Sequence, residues 1–296
     1  MEVSDLAPQP HRTNERYEAV FASNRDIFEG ARVLDLASHD GRFSFAALKT
    51  GAAHVTGVEV RQSLIDKAEE TFAFYGQDPE TYRFVCGDLF EVLARESFDV
   101  DVVLCLGYLY HTYRHTELMY RLHHLEPKHL IVDTMVTADA EQDLRVIGEP
   151  NAKDIRSASQ DDWSVGRVLV LRPSVPAVQM LMHAYGFEIE SMYDWQGRLA
   201  GRPVEAGLKG YARGERATVR CRFRKEIIQE AWDPVVALPG VASPPAPPRA
   251  GGARNEPDPA PAPPAGGWRE RVNRVLARAT GYELHRAGTG AGGGQA

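Results

Sequence analysis

Three carboxylates and one glycine stand where short apolar runs of this chain end. Asp35 lies at the end of the first run, and Gly41 closes the small-residue turn after it. Glu59 ends the second run and Asp88 follows the third. An apolar strand, a tight turn, a helix and a second strand that ends in an acid form the nucleotide-shaped crevice of an open α/β sheet. The spacing therefore predicts, first of all, a cofactor site.

The elements that must position these residues alternate between strand and helix patterns. An amphipathic helix is predicted over Thr13 to Phe28. Strands are predicted over residues 32–36, 54–60, 82–86, 99–106 and 129–135. Helices are predicted over residues 42–50, 62–75, 89–95 and 114–125. Such alternation specifies a parallel sheet with right-handed crossovers.

The later part of the chain departs from this alternation. A long polar segment, residues 136–166, precedes a strand at Val168–Leu171 and a helix that opens at Pro173 and Ser174. Two more strands follow, Phe187 to Tyr193 and Ala217 to Phe223. A glycine-rich loop separates them, and this pattern indicates an antiparallel hairpin.

The composition changes abruptly near residue 230. We therefore predict a folded domain over 1–230, a Pro/Ala/Gly-rich linker over 231–267, an amphipathic helix over 268–286 and a disordered tail over 287–296. Residues 239–267 have no apolar period and cannot bury enough surface to offset the entropy of ordering, so we expect a disordered, partly extended linker.

The C-terminal helix is predicted from one apolar stripe. Its members share helical spacing and are Trp268, Val272, Val275, Leu276, Ala279 and Tyr282. Four arginines lie largely elsewhere around the axis. Such a helix either docks on its own domain or binds a partner protein or an anionic membrane.

Charge, cysteine and hydropathy patterns exclude several classes. Residues 231–296 hold seven arginines against five acids, which leaves 27 basic against 36 acidic residues in 1–230. We expect no non-specific nucleic-acid binding from so acidic a body. The three widely spaced cysteines predict neither a disulfide framework nor a zinc site. Without a signal-peptide pattern or a run of about 18 apolar residues, a cytoplasmic protein with no transmembrane segment is expected.

Taken together, Asp35, Gly41, Glu59 and Asp88 resemble the pattern of class I S-adenosylmethionine (SAM) methyltransferases, over roughly residues 12 to 225. The resemblance implies an α/β fold with a seven-stranded, mostly parallel Rossmann-like sheet, helices on both faces and a closing antiparallel hairpin. It also implies SAM as cofactor. The alternative is a NAD-type domain with Glu59 on the ribose, which leaves Asp88 and the hairpin unexplained.

The family's binding roles pass to matching positions of this chain. In the family the glycine turn approaches the methionine and ribose, the acid ending the second strand accepts from the ribose hydroxyls, and an acid after the third strand holds the adenine amino group. Arg16 and Tyr17 on the first helix either reach the cofactor carboxylate or face solvent. The predicted cofactor-binding residues are Asp35, Ala37, His39, Gly41, Glu59, Val60, Asp88, Leu89, Leu106, Arg16 and Tyr17.

The turn itself departs from the family pattern. The family usually has Asp-x-Gly-x-Gly-x-Gly, whereas this chain has Asp35-Leu-Ala-Ser-His-Asp-Gly41. Ala37 requires only room for a methyl group. His39 must either avoid a positive φ or bear its cost.

A second resemblance is narrower. Leu106-Gly-Tyr-Leu-Tyr-His111, Leu130-Ile-Val-Asp-Thr-Met-Val136 and Val170-Leu-Arg-Pro-Ser174 are similar, in order and spacing, to the bacterial tRNA wobble-uridine carboxymethyltransferases and their relatives. That family has a substantial N-terminal domain whose basic residues receive a carboxylated cofactor. About 30 residues precede the first strand here, so we expect ordinary SAM and a different acceptor.

The candidate catalytic residues, His111 and Tyr110, follow the fourth strand. His111 would lie beside the methyl group in the family arrangement, where an imidazole can accept a proton from a hydroxyl. Its alternative role is to cap or pack the next helix. Tyr110 either lines the pocket or packs in the core.

No metal site is predicted, although three carboxylates are candidate ligands. Asp133 ends the fifth strand, and Asp161 and Asp162 lie in the segment expected to cover the crevice. Three carboxylates could hold Mg²⁺ and polarise a sugar hydroxyl. The alternative is surface solvation of Asp161 and Asp162.

These patterns predict a SAM-dependent methyltransferase that acts on a hydroxyl or amine of a small molecule, such as a sugar or natural-product intermediate. Two alternatives stay open: a tRNA-modifying (carboxy)methyltransferase and a non-catalytic SAM-binding adaptor.

Overall fold

The strands and helices follow the alternation of apolar and polar residues along the chain. The structure, a computed structural model, describes residues 10–150 and 167–230. Its strands are β1 (Arg32–Leu36), β2 (His54–Glu59), β3 (Tyr82–Cys86), β4 (Val102–Leu106), β5 (His129–Met135), β6 (Leu144–Pro150), β7 (Arg167–Pro173), β8 (Phe187–Met192) and β9 (Arg216–Phe223). Its α-helices are α1 (Pro10–Val20), α2 (Arg42–Thr50), α3 (Gln62–Phe74), α4 (Leu89–Arg95), α5 (His115–Leu125), α6 (Val175–Ala184), α7 (Trp195–Leu199) and α8 (Lys209–Ala212).

Seven of these strands form one sheet in the order β3-β2-β1-β4-β5-β9-β8. The first five strands are parallel, and β9 pairs antiparallel with both β5 and β8. The predicted α/β class, with a seven-stranded and mostly parallel sheet, is confirmed. Since the carboxyl ends of parallel strands meet at one edge, the residues that follow β1 to β4 come together there.

The sheet is buried on both faces, as expected for parallel strands covered by crossover helices. Successive β1 residues belong to different cores: Val33 packs with Val102, whereas Leu34 and Leu36 pack with Val103. Helices therefore cover both faces of the sheet.

The first helix ends earlier than its amphipathic pattern predicts. The structure has α1 up to Val20 and then a 3₁₀ segment over Ala22–Ile27 instead of one helix to Phe28. Asn24 leaves the helical region at φ −125°. Its side-chain amide donates to two carbonyl groups at the end of α1. These bonds satisfy carbonyls that the helix itself leaves unpaired.

The polar segment expected over 136–166 is partly a strand. Leu144–Pro150 forms β6 and pairs antiparallel with β7, which contains the predicted strand 168–171. Ile147 of β6 packs inward, against Val168 and Val170. Val146 remains 63% exposed, so the segment has too weak an apolar face to be recognised as a strand.

The glycine-rich loop before β9 holds two short helices, α7 and α8. Their Trp195, Leu199 and Tyr211 pack with Ala19 of α1. The Trp195 and Tyr211 rings lie 4.0 Å apart between centroids. This cluster holds α1 beside β9 at the carboxyl edge of the sheet.

Several predicted features lie outside the described residues: the linker, the C-terminal helix, the tail, Asp161 and Asp162. Among the residues that the structure describes, no helix is long and apolar enough to cross a bilayer.

Candidate active site

A cavity of about 480 Å³ lies at the carboxyl ends of β1 to β4. Its size falls within the range of small-molecule sites. Most predicted site residues line it: Arg16, Asp35, Ala37, His39, Glu59, Val60, Asp88, Leu89, Leu106, Tyr110 and His111. Gly41, Tyr17 and Asp133 are not among its lining residues.

The turn after β1 bears backbone strain in place of the family's glycines. Ala37 and His39 take φ values of +53° and +56°, in the left-handed region. That conformation costs a non-glycine residue roughly 1–2 kcal/mol. His39 thus bears the cost, and its backbone N–H donates to Glu59 Oε2 over 3.1 Å.

Gly41 does not line the cavity, and its lack of a side chain is required by packing. Its φ is +70°, and a Cβ there would lie 2.8 Å from Ala68 Cβ and 2.9 Å from Phe84 Cζ. A side chain at this position would separate α2 from α3 and β3.

Glu59 is buried with its carboxylate at the cavity wall. Besides the His39 bond, Oε1 accepts from the backbone and from Nη1 of Arg61, at 3.1 and 3.2 Å. Because a carboxylate offers about four acceptor positions, these three bonds leave capacity for a further donor. The predicted ribose hydroxyl fits that capacity.

The other two acids of the pattern are held by local bonds. Asp88 caps α4, with Oδ1 accepting from two backbone N–H groups at 3.0 and 3.1 Å. Asp35 accepts from Ser44 Oγ over 2.6 Å. Burial raises the pKa of Asp35 to about 7, although the Ser44 bond opposes this.

His111 forms a pair with a residue that sequence reasoning missed. Its Nδ1 lies 3.1 Å from Glu149 Oε2 of β6. A carboxylate only accepts hydrogen bonds, so Nδ1–H donates and Nε2 of the neutral ring keeps its lone pair. Burial lowers the His111 pKa below its ordinary value, and this outweighs the opposing effect of Glu149. The ring is therefore a neutral base at pH 7.

Tyr110 is fixed beside this base. Its hydroxyl accepts from Arg216 Nη2 over 2.9 Å, and its ring centroid lies 4.1 Å from that of His111. Arg216, the first residue of β9, thereby links the acceptor side of the cavity to the His111 ring.

Asp133, the candidate metal ligand at the end of β5, is an anchor for cationic side chains in this structure. It is fully buried and accepts from Arg16, Arg216, Tyr211 and Thr218 at 2.8 to 3.3 Å. Burial opposes its ionisation, but Arg16 and Arg216 hold its pKa below the ordinary value. These donors use the acceptor capacity that a metal ion would need. In residues 10–150 and 167–230 no metal-binding group of three His, Cys, Asp or Glu side chains occurs.

Arg16 and Tyr17, which are neighbours on α1, face different directions. Arg16 lines the cavity and stacks over the Phe43 ring, 4.4 Å from its centroid. Tyr17 is 37% exposed and lies 3.5 Å from Thr50 Oγ1, so it does not reach the cavity. Successive helical residues differ by about 100° around the axis, and only Arg16 can face inward.

Five charged residues of the site were not predicted from the sequence: Arg12, Arg42, Arg61, Arg216 and Glu149. The spacing of Arg12 and Arg16, four residues apart on one helix, was a usable signal. Glu149 had none, because it reaches His111 only through the pairing of β6 with β7.

Residues 33–127 match a family described as a methyltransferase domain. The fold is that of a class I methyltransferase. The N-terminal domain of EvdMO1, crystallised in the presence of SAH and D-fucose, superposes with a TM-score of 0.51 at 17% identity, over 73% of this chain and 83% of that one.

Two curated relatives are ribosomal RNA large subunit methyltransferases I. That of Aeromonas hydrophila is 35% identical over 80 residues, 25% of this chain and 20% of its own length. That of Aeromonas salmonicida is 35% identical over 77 residues, which are 24% of this chain and 19% of its own length. The chain thus spans about a fifth of the length of these relatives.

A methyltransferase domain implies SAM as its cofactor, and the cavity fits it. Ser38 and Arg16 line the cavity. Their buried atoms Ser38 Oγ and Arg16 Nε have no hydrogen-bond partner in the described part of the chain. A hydroxyl and a guanidinium suit the carboxylate and amine of a methionine group, while Glu59 and Asp88 suit ribose and adenine donors.

Proposed function

We propose that this chain transfers a methyl group from SAM to a hydroxyl group of a small-molecule acceptor. The observation that carries the proposal is the His111–Glu149 pair at the cavity, with Nδ1 and Oε2 3.1 Å apart. A neutral hydroxyl is a weak nucleophile, and a positioned base accelerates its reaction about 10²- to 10⁴-fold. The pair supplies such a base.

When bound, SAM supplies a methyl group already activated on a sulfonium, so the protein's own tasks are positioning and proton removal. His111 would take the hydroxyl proton at Nε2 as the methyl group passes from the sulfonium sulfur to the acceptor oxygen and SAH leaves. Glu149 holds the productive tautomer and stabilises the imidazolium that results. Tyr110, fixed by Arg216, sets the orientation of the His111 ring.

The test uses His111→Ala and Glu149→Gln, with His124→Ala as the matched control. His124 is an exposed histidine of α5 whose ring contacts Tyr120. We expect His111→Ala to lower SAH production about 10²- to 10⁴-fold with SAH affinity within threefold of wild type. The control should retain full activity.

The pH profile separates the two members of the pair. The Glu149 carboxylate raises the His111 pKa, so Glu149→Gln should lower it and move the acid limb of the rate profile to lower pH. The plateau rate should fall as well, because the ring loses its orienting partner. An acid limb that moves upward would contradict the assigned pairing.

The acceptor is to be sought by incubating the chain and SAM with monosaccharides and metabolite fractions and measuring SAH. D-fucose is a sensible first sugar, since it accompanied the structurally similar EvdMO1 domain. An amine acceptor needs less help from a base, so activity within threefold of wild type in His111→Ala would favour an amine.

An RNA acceptor is the second candidate, and the two Aeromonas relatives favour it. The resemblance of Leu106–His111 to the tRNA wobble-uridine carboxymethyltransferases makes tRNA the first RNA to test. SAH production with RNA and none with metabolites would establish this alternative. If no acceptor yields SAH although SAM binds, the chain is a SAM-binding adaptor.

A further inference from the structure

Three arginines surround one carboxylate on the acceptor side of the cavity. Arg16 Nη2 and Arg216 Nη1 lie 3.3 and 2.8 Å from Asp133 Oδ1. Arg12 lies one turn before Arg16 on α1, and all three arginines line the cavity. We call Arg12, Arg16 and Arg216 the arginine cluster. Its three positive charges face one negative charge.

Arg12 is the uncompensated member of the arginine cluster. In the described part of the chain no hydrogen bond or ion pair holds its guanidinium, and its Nε is buried without a partner. Burial and the repulsion of Arg16 and Arg216 lower its pKa. An unpaired charge in such a place is costly unless a ligand neutralises it.

The other acids of the cavity are engaged elsewhere. Glu59 pairs with Arg61, Glu149 with His111, and Asp88 caps α4, while burial raises the pKa of Asp35 to about 7. The cofactor, on the proposed function, brings one carboxylate but also a positive sulfonium and an ammonium group. Arg16, over Phe43 and nearest the turn, suits that carboxylate. The excess charge then remains at Arg12, because Arg216 is paired with Asp133.

We propose that the acceptor carries a carboxylate or phosphate group, bound by Arg12 and Arg216. Guanidinium forks match both anions with paired hydrogen bonds. Arg216 also holds Tyr110, which lies against His111, so the anion would be bound close to the base. The acceptor class is therefore a hydroxy acid or a phosphorylated sugar, with its reacting hydroxyl near its anionic group. This inference rests on the proposed function.

The experiment titrates SAH-saturated protein with inorganic phosphate or malonate at constant ionic strength, using calorimetry. Malonamide is the uncharged control. The variants are Arg12→Gln, which removes the charge and keeps most of the shape, and Arg95→Gln as the matched control. Arg95 is 75% exposed on α4 and does not line the cavity.

We expect one saturable site for phosphate or malonate and none for malonamide. Arg12→Gln should weaken that binding at least tenfold, change SAH affinity less than threefold and unfold at a temperature close to wild type. Arg95→Gln should match wild type. Phosphate binding alone would assign phosphorylated acceptors, and malonate binding alone would assign hydroxy acids.

Three results would overturn the inference. In the first, neither anion binds the SAH complex. In the second, Arg12→Gln binds the anions as tightly as wild type and Arg95→Gln do. In the third, the anions compete with SAH, so that the whole cluster serves the cofactor carboxylate. SAH binding is measured in the same samples. If SAH binds and the anions do not, the proposed methyl transfer stands and only the charged acceptor is wrong, whereas absent SAH binding would reject both.

Discussion

Replacing Asp133 by asparagine tests how the acceptor side of the cavity is held together. The substitution keeps the size of a side chain that is fully buried, and it removes the only negative charge that contacts both Arg16 and Arg216 among the described residues. Removing one partner of a buried pair costs about 3–5 kcal/mol, because the remaining charge is left uncompensated. In a domain of this size that loss lowers Tm by about 6–20 °C.

Urea unfolding at pH 7, followed by circular dichroism, measures the difference. Asp139→Asn is the control, because Asp139 pairs with Arg145 at the surface, and such pairs contribute about 0–1 kcal/mol. A loss below about 1 kcal/mol in Asp133→Asn would refute the view that this carboxylate anchors the cluster.

The pH dependence gives an independent check with a defined sign. The folded-state pKa of Asp133 lies below its value of about 3.9 in the unfolded chain. Its stabilisation is therefore complete above that unfolded value and is lost as the pH falls through the folded pKa. The difference between wild type and Asp133→Asn should shrink below about pH 4. A difference that grows on acidification would refute the assignment.

Two further predictions concern the cofactor and the C-terminal region. Glu59→Gln should weaken SAM binding by roughly 1.5–3 kcal/mol, or about 10- to 150-fold, without unfolding the chain, since it removes a charge-assisted acceptor for ribose hydroxyls; calorimetric titration measures this beside Glu96→Gln, a half-buried control outside the cavity, and equal affinities would remove Glu59 from the site. Truncation after Leu238 should leave Tm and SAM affinity nearly unchanged, because residues 239–267 lack apolar periodicity, and what should disappear is self-association, partner capture or liposome binding; a truncated protein that precipitates would instead show that the segment at 268–286 packs on the domain.

The walls of the cofactor pocket were predictable because they depend on local signals. Asp35, Glu59 and Asp88 each follow a short apolar strand, and parallel strands bring such residues to one edge whatever the details of packing. The sequence left open whether His39 avoids a positive φ or bears its cost. Only the structure decides this, because a residue keeps a positive φ when the surrounding bonds, here the bond to Glu59, outweigh the cost.

The acceptor side was predicted less well because its residues come from distant segments. Glu149 lies on β6, which has no apolar pattern. Arg216 begins β9, and periodicity does not show that β9 pairs with β5. Asp133 was placed at the end of β5, but its contacts with Arg16 and Arg216 were not predicted. Its environment depends on α1 and β9, whose positions are set by the packing of Trp195 and Tyr211.

The insertion of β9 between β5 and β8 has a consequence for how the protein is made. Asp133 is separated by 117 residues from Arg16 and by 83 from Arg216. During synthesis β1 to β5 emerge from the ribosome well before β9, so the cofactor walls are complete while the edge of β5 still lacks its neighbour. Contacts of such long sequence separation form late in folding. A nascent or prematurely terminated chain would thus hold most of a SAM pocket but no anchored acceptor side, and the assembled cluster around Asp133 marks the completion of the fold.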